Sequence, residues 1–334
     1  MERVIQVTFE QQMLKQAYER VRGLGDRLVL MKNIIDWEKF RPIIASVFHD
    51  NDTVGGRPHT DEVLMAKVFT LQSLYDLSDE ELEFSITDRL SFRNFVDFPD
   101  KAPDFSTIWS TRERLKEKDK YQLIWSELQC QLDEKGYKAQ KGVIQDAAFI
   151  EADLGKKRYY KEKQAKKHGE KIEYKPRQIS HIDKDGSFSV KHGQVHYGYK
   201  NHVKLDVKHH LIREIKTTSA SPHDAKVNLV QEGDGAAYRD KGYFGTPLPN
   251  TVKDKTMKRA TRGRKLNGGE QLRNKSISRI RAPGERPFSV IKRTFDGART
   301  LVKRIERVSI KEMFKAFAYN LYQLVTLERK RLLA

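Results

Sequence analysis

Three carboxylates sit where oxygen-ligand chemistry would need them. Asp146 lies in "GVIQDAAFIEAD", Asp240 ends "GAAYRD", and Glu285 stands in "SRIRAPGERPFSVIKR". Hard divalent cations such as Mg2+ take oxygen ligands and keep several waters, so cleaving or joining a phosphodiester asks for two to four Asp or Glu on separate elements. Around Glu285 cluster Arg279, Arg281, Arg286, Lys292 and Arg293. Pro283 suits the first turn of a helix that carries Glu285. Lys292 is two helical turns further on and shares its face, while Arg281 falls just outside the helix. Opposite charge there keeps the Glu285 carboxylate ionised, and guanidinium and ammonium groups suit phosphate. The same spacing also fits a surface ion pair of Glu285 with Arg281 or Lys292. A chain with 46 acids contains many such triples, so the residues alone leave both readings open.

The elements that position these residues fall into two parts, an α+β arrangement with domains at 1–135 and 136–334. Residues 1–135 read as helices. Thr60 caps one that opens with Asp61 and Glu62, Ser78 and Glu81 have capping-box spacing, and another starts near Ser106. Trp37, Trp109 and Trp125 sit at apolar helical positions and are expected in the core. From Gly142 the pattern becomes β-branched and short, and Asp146 lies in a strand. Residues 155–177 are strongly basic with few aliphatic residues and read as a mobile loop, either a solvated linker or a DNA-contacting arm. "VHYGYKNHVKLDVKHHLIREIKTTSA" reads as a hairpin turning near His209. Tyr197, Tyr199, Val203, Leu205 and Val207 share one face; His196, Lys200, His202, Lys204 and Asp206 share the other. A short helix is expected from His223 to about Val230, then a strand at 235–240. Residues 247–277 look irregular. Ser309 and Glu312 mark the start of a last helix, 309–334, with an apolar stripe at Ile310, Met313, Phe314, Phe317, Leu321, Leu324 and Val325 that is read as packing on the catalytic core, with a dimer helix as the alternative.

Composition narrows the partner. Lys plus Arg number 64 against 46 Asp plus Glu, a net charge of +18. Such an excess favours polyanions through phosphate contacts that release counterions. Cys130 is the only cysteine, which excludes an internal disulfide and a thiolate zinc cluster. The first residues lack a signal-peptide core and no apolar run is long enough for a membrane span. A cytoplasmic, nucleoid-associated protein is expected, with no membrane partner.

"GVIQDAAFIEA", "HYGYKNHVKLDV", "YRDKGYFG" and "RAPGERPFSVIKRTF", in that order, resemble the motifs of DDE transposases from bacterial insertion sequences, closest to insertion sequence family five. The R-x3-E-x6-K signature falls on Arg281, Glu285 and Lys292. "GRPHTDEVLMAKVFTLQSLYDLSDEELEFSITDRLSFRNFV" is similar to that family's helical N-terminal domain, so the resemblance spans about residues 25–330. It implies an RNase H-like mixed α/β catalytic domain after a helical domain that binds element ends and supports dimerisation. It implies Asp146, Asp240 and Glu285 as catalytic metal ligands for Mg2+, with Mn2+ as substitute. Arg281 and Lys292 become DNA contacts. The partners implied are double-stranded DNA, as terminal inverted repeats and as target, and a second copy of the chain. The expected activity is metal-dependent strand cleavage and strand transfer by water and then by a 3′-hydroxyl, with no covalent enzyme intermediate. Related enzymes often carry tyrosine three residues before the arginine, where Ser278 stands here.

Three rivals remain: a catalytically silent DNA-binding repressor derived from a transposase, a stand-alone nuclease, and an RNA-binding protein, for which aromatic stacking motifs are sparse. Asp206 fits either a fourth acid of the site or a pair with Lys204 or Lys200. Glu151 and Asp153 lie near Asp146, but Glu151 points to the other face of a strand. The histidines at 196, 202, 209 and 210 read as solvated or DNA-facing rather than as a metal cluster.

Overall fold

The computed structural model describes residues 9–48, 59–152, 155–191 and 193–333. The chain forms two compact units, residues 1–135 with 320–334, and residues 136–319.

The first unit is helical. It contains α1 (Phe9–Gly23), α2 (Leu28–Lys32), α3 (Arg41–Ala45) and α4 (Glu62–Tyr75), then α5 (Asp79–Asp88), α6 (Leu90–Phe95), α7 (Phe105–Glu117) and α8 (Tyr121–Glu134). The caps follow local chemistry. Ser78 and Glu81 form the expected capping box on α5. Asp61, not Thr60, caps α4 by accepting from the Leu64 N–H, and Asp104 caps α7 by accepting from the Thr107 N–H. A carboxylate is the stronger acceptor and suits the positive helix end. Trp37 and Trp125 are buried, but Trp109 is half exposed on α7. The expectation of three core tryptophans therefore fails at one position. "GRP" at 56–58, part of the N-terminal resemblance, lies outside the described residues, as does Asp153.

The second unit is built on a seven-stranded sheet. Its strands are β1 (Val143–Ala152), β2 (Ser187–Lys191), β3 (Gln194–Asp206), β4 (Ile212–Ser219), β5 (Ala236–Arg239), β6 (Lys253–Thr256) and β7 (Arg299–Thr300). The path is β2-β3-β1-β5-β6, with β4 on β3 and β7 on β1. β3 runs antiparallel to β1, β2 and β4. β5 lies parallel to β1 and β6 parallel to β5. A central β1 explains its buried ends, Val143, Ile144, Ile150 and Ala152.

Several expectations are corrected here. Residues 155–177 are not a loop: α9 (Gly155–Lys167) and α10 (Pro176–His181) occupy most of them. Lys, Arg, Gln, Glu and Ala are good helix formers, and packing of one face suffices to order a charged run. Gly169, at φ +67, follows the end of α9. The helix expected at 223–230 shrinks to one 3-10 turn, Asp224–Lys226. Beyond it Gln145 holds the chain, donating to the Val227 carbonyl at 2.6 Å and accepting from Leu229 N–H at 3.4 Å. The irregular stretch at 247–277 contains β6 and the start of α11 (Gly268–Arg281), capped by Asn267 and Glu270. α12 (Glu285–Ser289) follows one 3-10 turn, Ala282–Gly284. The last helix, α13 (Ile305–Leu332), starts four residues before Ser309, whose hydroxyl donates back to the Ile305 carbonyl. From Asn320 onward it belongs to the first unit, so 309–334 is not wholly part of the second domain.

The hairpin's expected polar face is also buried. His202 and Asp206 are fully buried, and Lys200 and Lys204 nearly so. Each finds a partner: Lys204 pairs with Glu214 and Asp234, and Asp206 accepts from the His209 and Leu211 N–H groups. β3 is a central strand covered on both faces, and such strands bury both sets of alternate residues.

Candidate active site

Asp146 and Asp240 are brought abreast by strand pairing. In the parallel ladder Val143 faces Ala237, Ile144 faces Tyr238, and Gln145 faces Arg239. One step further puts residue 146 beside residue 240, with strands about 4.8 Å apart. Asp240 has just left β5 and caps a 3-10 turn, accepting from the Gly242 N–H at 2.7 Å. Its orientation is fixed from behind. The fully buried Arg239 guanidinium donates to Thr256 Oγ1 on β6 at 2.9 Å and to the Thr246 carbonyl at 3.0 Å.

Asp146 Oδ1 accepts from the Ala147 N–H at 2.9 Å, and Oδ2 accepts from Arg281 at 3.0 Å. Burial raises the Asp146 carboxyl above the ordinary carboxylate range. The neighbouring Asp240 charge pushes the same way, against Arg281. Two carboxylates side by side in a partly desolvated place favour a cation between them. The donors are all oxygens, and two carboxylates with waters and phosphate suit Mg2+.

Glu285 arrives from the helical side. Ile144 and Asp146 share a face of β1. Gly284 lies on that face so closely that a Cβ would come within 2.9 Å of Ile144 Cγ2. Arg281 lies outside α12, the helix that opens with Glu285, as expected; it is the last residue of α11, four residues before Glu285. The backbone thus delivers Arg281 and Glu285 to the Asp146 side of the sheet. Glu285 is exposed, with no ion-pair partner among the described residues. Among those residues no three Asp, Glu, His or Cys side chains lie close enough together to hold a metal ion. The structure therefore brings Asp146 and Asp240 together and leaves Glu285 beside them, outside a closed three-acid cluster. Neither Arg281 nor Lys292 pairs with Glu285, which removes the ion-pair alternative. Lys292 sits in a π-helical turn, Val290–Thr294, is partly buried, and has its pKa lowered by that burial.

Asp206 pairs with Val143, three residues down β1 from Asp146, and its oxygens close the β3–β4 turn. At a rise of about 3.3 Å per residue that is roughly 10 Å away, so it is a turn residue, not a fourth acid. Glu151 lies on the opposite face, 3.3 Å from His196 Nδ1. His196 stacks on Phe149, with ring centroids 4.5 Å apart. His202 is buried, and its pKa falls to about 4. These two histidines are packed side chains, not solvated ones.

Sequence reasoning missed the support beneath Asp146. Lys200 stands opposite Phe149 in the ladder, donates to Asp224 at 2.9 Å and to the Pro222 carbonyl at 2.7 Å, and lies over the Phe149 ring. Tyr243 is buried, and burial, then Asp224, Asp146 and Asp240, raises its pKa. The available signals were "SPHD" at 221–224 and an aromatic three residues after Asp240, but only strand pairing links them.

Residues 139–321 match the family model described as Transposase DDE domain, and residues 15–114 match the Transposase domain (DUF772). The first match alone covers more than half of the chain, which therefore belongs to the DDE-type transposases. No solved structure matches the chain significantly. Among the described residues no helix is long and apolar enough to cross a membrane.

Proposed function

We propose that this chain is the transposase of a bacterial insertion sequence of family five, and that it cleaves the ends of its element and joins them to target DNA. The observation that carries the reading is the alignment of Asp146 with Asp240 on adjacent strands, with Glu285 delivered to the same face by the Gly284 contact. Asp146, Asp240 and Glu285 would hold Mg2+, with Mn2+ as substitute. Divalent ions held there would supply charge neutralisation at the reacting phosphate and activation of water or a 3′-hydroxyl. The protein's own part is positional. Arg239 and the Gly242 N–H fix Asp240, while Arg281 holds Asp146 and offers its remaining N–H groups to a phosphate oxygen. Lys292 lines the same strand of DNA. An RNase H-like fold is supported by a sheet whose central strand carries Asp146 between an antiparallel β3 and a parallel β5.

In this reading the unit of residues 1–135 binds the terminal inverted repeats and supports pairing of two copies. The protein works in the cytoplasm, on the nucleoid. The second reading is a silent DNA-binding repressor, and the open position of Glu285 favours it. Incubation with Mg2+ and a duplex carrying the element's own end separates the two. Nicking and joining support the transposase; binding with no cleavage supports the repressor.

A further inference from the structure

Helix α9 carries a charge pattern that neither the fold nor the chemistry at Asp146 explains. One face is fixed to the sheet. Arg158 lies over the rings of Tyr197, at 4.2 Å, and Phe188, at 4.9 Å, and Tyr159 packs on Phe188. Ala165 is buried on the same side. Glu162, the only acid in the helix, is occupied by Tyr174 and Arg158.

The outward face carries no acid. Lys157 and Lys161 are exposed one turn apart, and so are Lys163 and Lys167, with Tyr160 exposed between the two rows. This is a rigid comb of like charges, held at a cost in self-repulsion that a bound polyanion relieves. It does not suit a membrane surface, because the apolar side of α9 is already spent on the sheet.

The position of α9 selects the partner. It follows β1 directly, and β1 carries Asp146 six residues before its end at Ala152. At about 3.3 Å per residue β1 ends roughly 20 Å from Asp146, the length of about six base pairs, and Arg158 over Tyr197, the neighbour of Gly198 that pairs with Glu151, holds the start of α9 at that end. We infer that α9 is a DNA-backbone grip that holds the duplex about six base pairs from the cleaved phosphate, through Lys157, Lys161, Lys163 and Lys167. The inference rests on the transposase reading and extends it. It assigns α9 a contact that positions DNA without reading its sequence.

The test compares wild type with a variant carrying Lys157→Gln, Lys161→Gln, Lys163→Gln and Lys167→Gln, and with the matching four-arginine variant. Affinity for element-end duplexes is measured across a salt series. The duplexes are shortened stepwise on either side of the cleavage point. Each lost phosphate contact lowers the slope of log affinity against log salt by about 0.9, so the glutamine variant should lose about 2–4 in slope. Wild type should lose affinity once one arm is cut below about six base pairs, with the arginine variant matching it and the glutamine variant indifferent to arm length. An unchanged unfolding midpoint in the glutamine variant shows that the loss is not misfolding. Equal slopes and equal arm-length dependence in all three proteins would overturn the inference and assign the comb to another polyanion. Failure of wild type itself to bind element ends would instead remove the transposase reading on which it stands.

Discussion

The guanidinium of Arg281 donates to Oδ2 of Asp146 across 3.0 Å, tying the end of α11 to the central strand at the candidate site. Both side chains are mostly shielded, at 15% and 23% exposure. Removing one partner of such a pair leaves the other charge poorly solvated. Arg281→Ala should lower stability by about 1–3 kcal/mol in urea unfolding, less than for a fully buried pair. In an Asp146→Asn background the same change should cost clearly less. Equal costs in both backgrounds would show that the pair does not couple.

Asp146 itself is held at an energetic disadvantage. Its carboxyl is raised by burial despite Arg281, so the folded protein binds its proton more tightly than the unfolded chain does. Stability therefore falls as pH rises from the ordinary carboxylate range through the folded pKa, and stays lower above it. In metal-free buffer Asp146→Asn leaves Arg281 without its partner at every pH, so the pH trend isolates the carboxyl: relative to wild type the variant should lose stability on acidification. Thermal melts from mildly acid to neutral pH check this; a variant that gains on wild type as the pH falls contradicts it.

His202 works in the opposite pH sense. Burial lowers its pKa to about 4, so the unfolded chain takes up a proton first as pH falls below about 6.5. Its contribution is intact at neutral pH and is lost on acidification. Between pH 7 and pH 5 the loss should be about 1–2 kcal/mol. An NMR titration in which His202 protonates near 6.5 would rule this out.

Much of this was legible beforehand, for particular reasons. The capping box at Ser78 and Glu81 and strands β1 and β5 depend on local chemistry, which the sequence displays directly. What it could not display was burial decided by distant partners. Lys200, Lys204 and Asp206 read as a solvent face because alternation cannot tell an edge strand from a central one. Basic α9 read as a loop because its anchors, Tyr197 and Phe188, lie some 20 to 40 residues away. Asp146 and Asp240 were found as separate carboxylates, and only the β1–β5 register makes them a pair.

Glu285 separates chemistry from stability. It is exposed and unpaired among the described residues, so Glu285→Gln should leave the unfolding free energy within about 0.5 kcal/mol of wild type. DNA affinity should also hold, because Arg281 and Lys292 remain.

The measurement that bears most directly on the central claim uses that variant. Wild type and Glu285→Gln are incubated with Mg2+ and a labelled duplex carrying the ends of the chain's own flanking element. Nicked and joined products from wild type, with at least a hundredfold less from the variant (about 3 kcal/mol in barrier), are the predicted result. Equal product from both would remove Glu285 from the site, and tight binding with no product from wild type would leave the chain a DNA-binding protein without transposition chemistry.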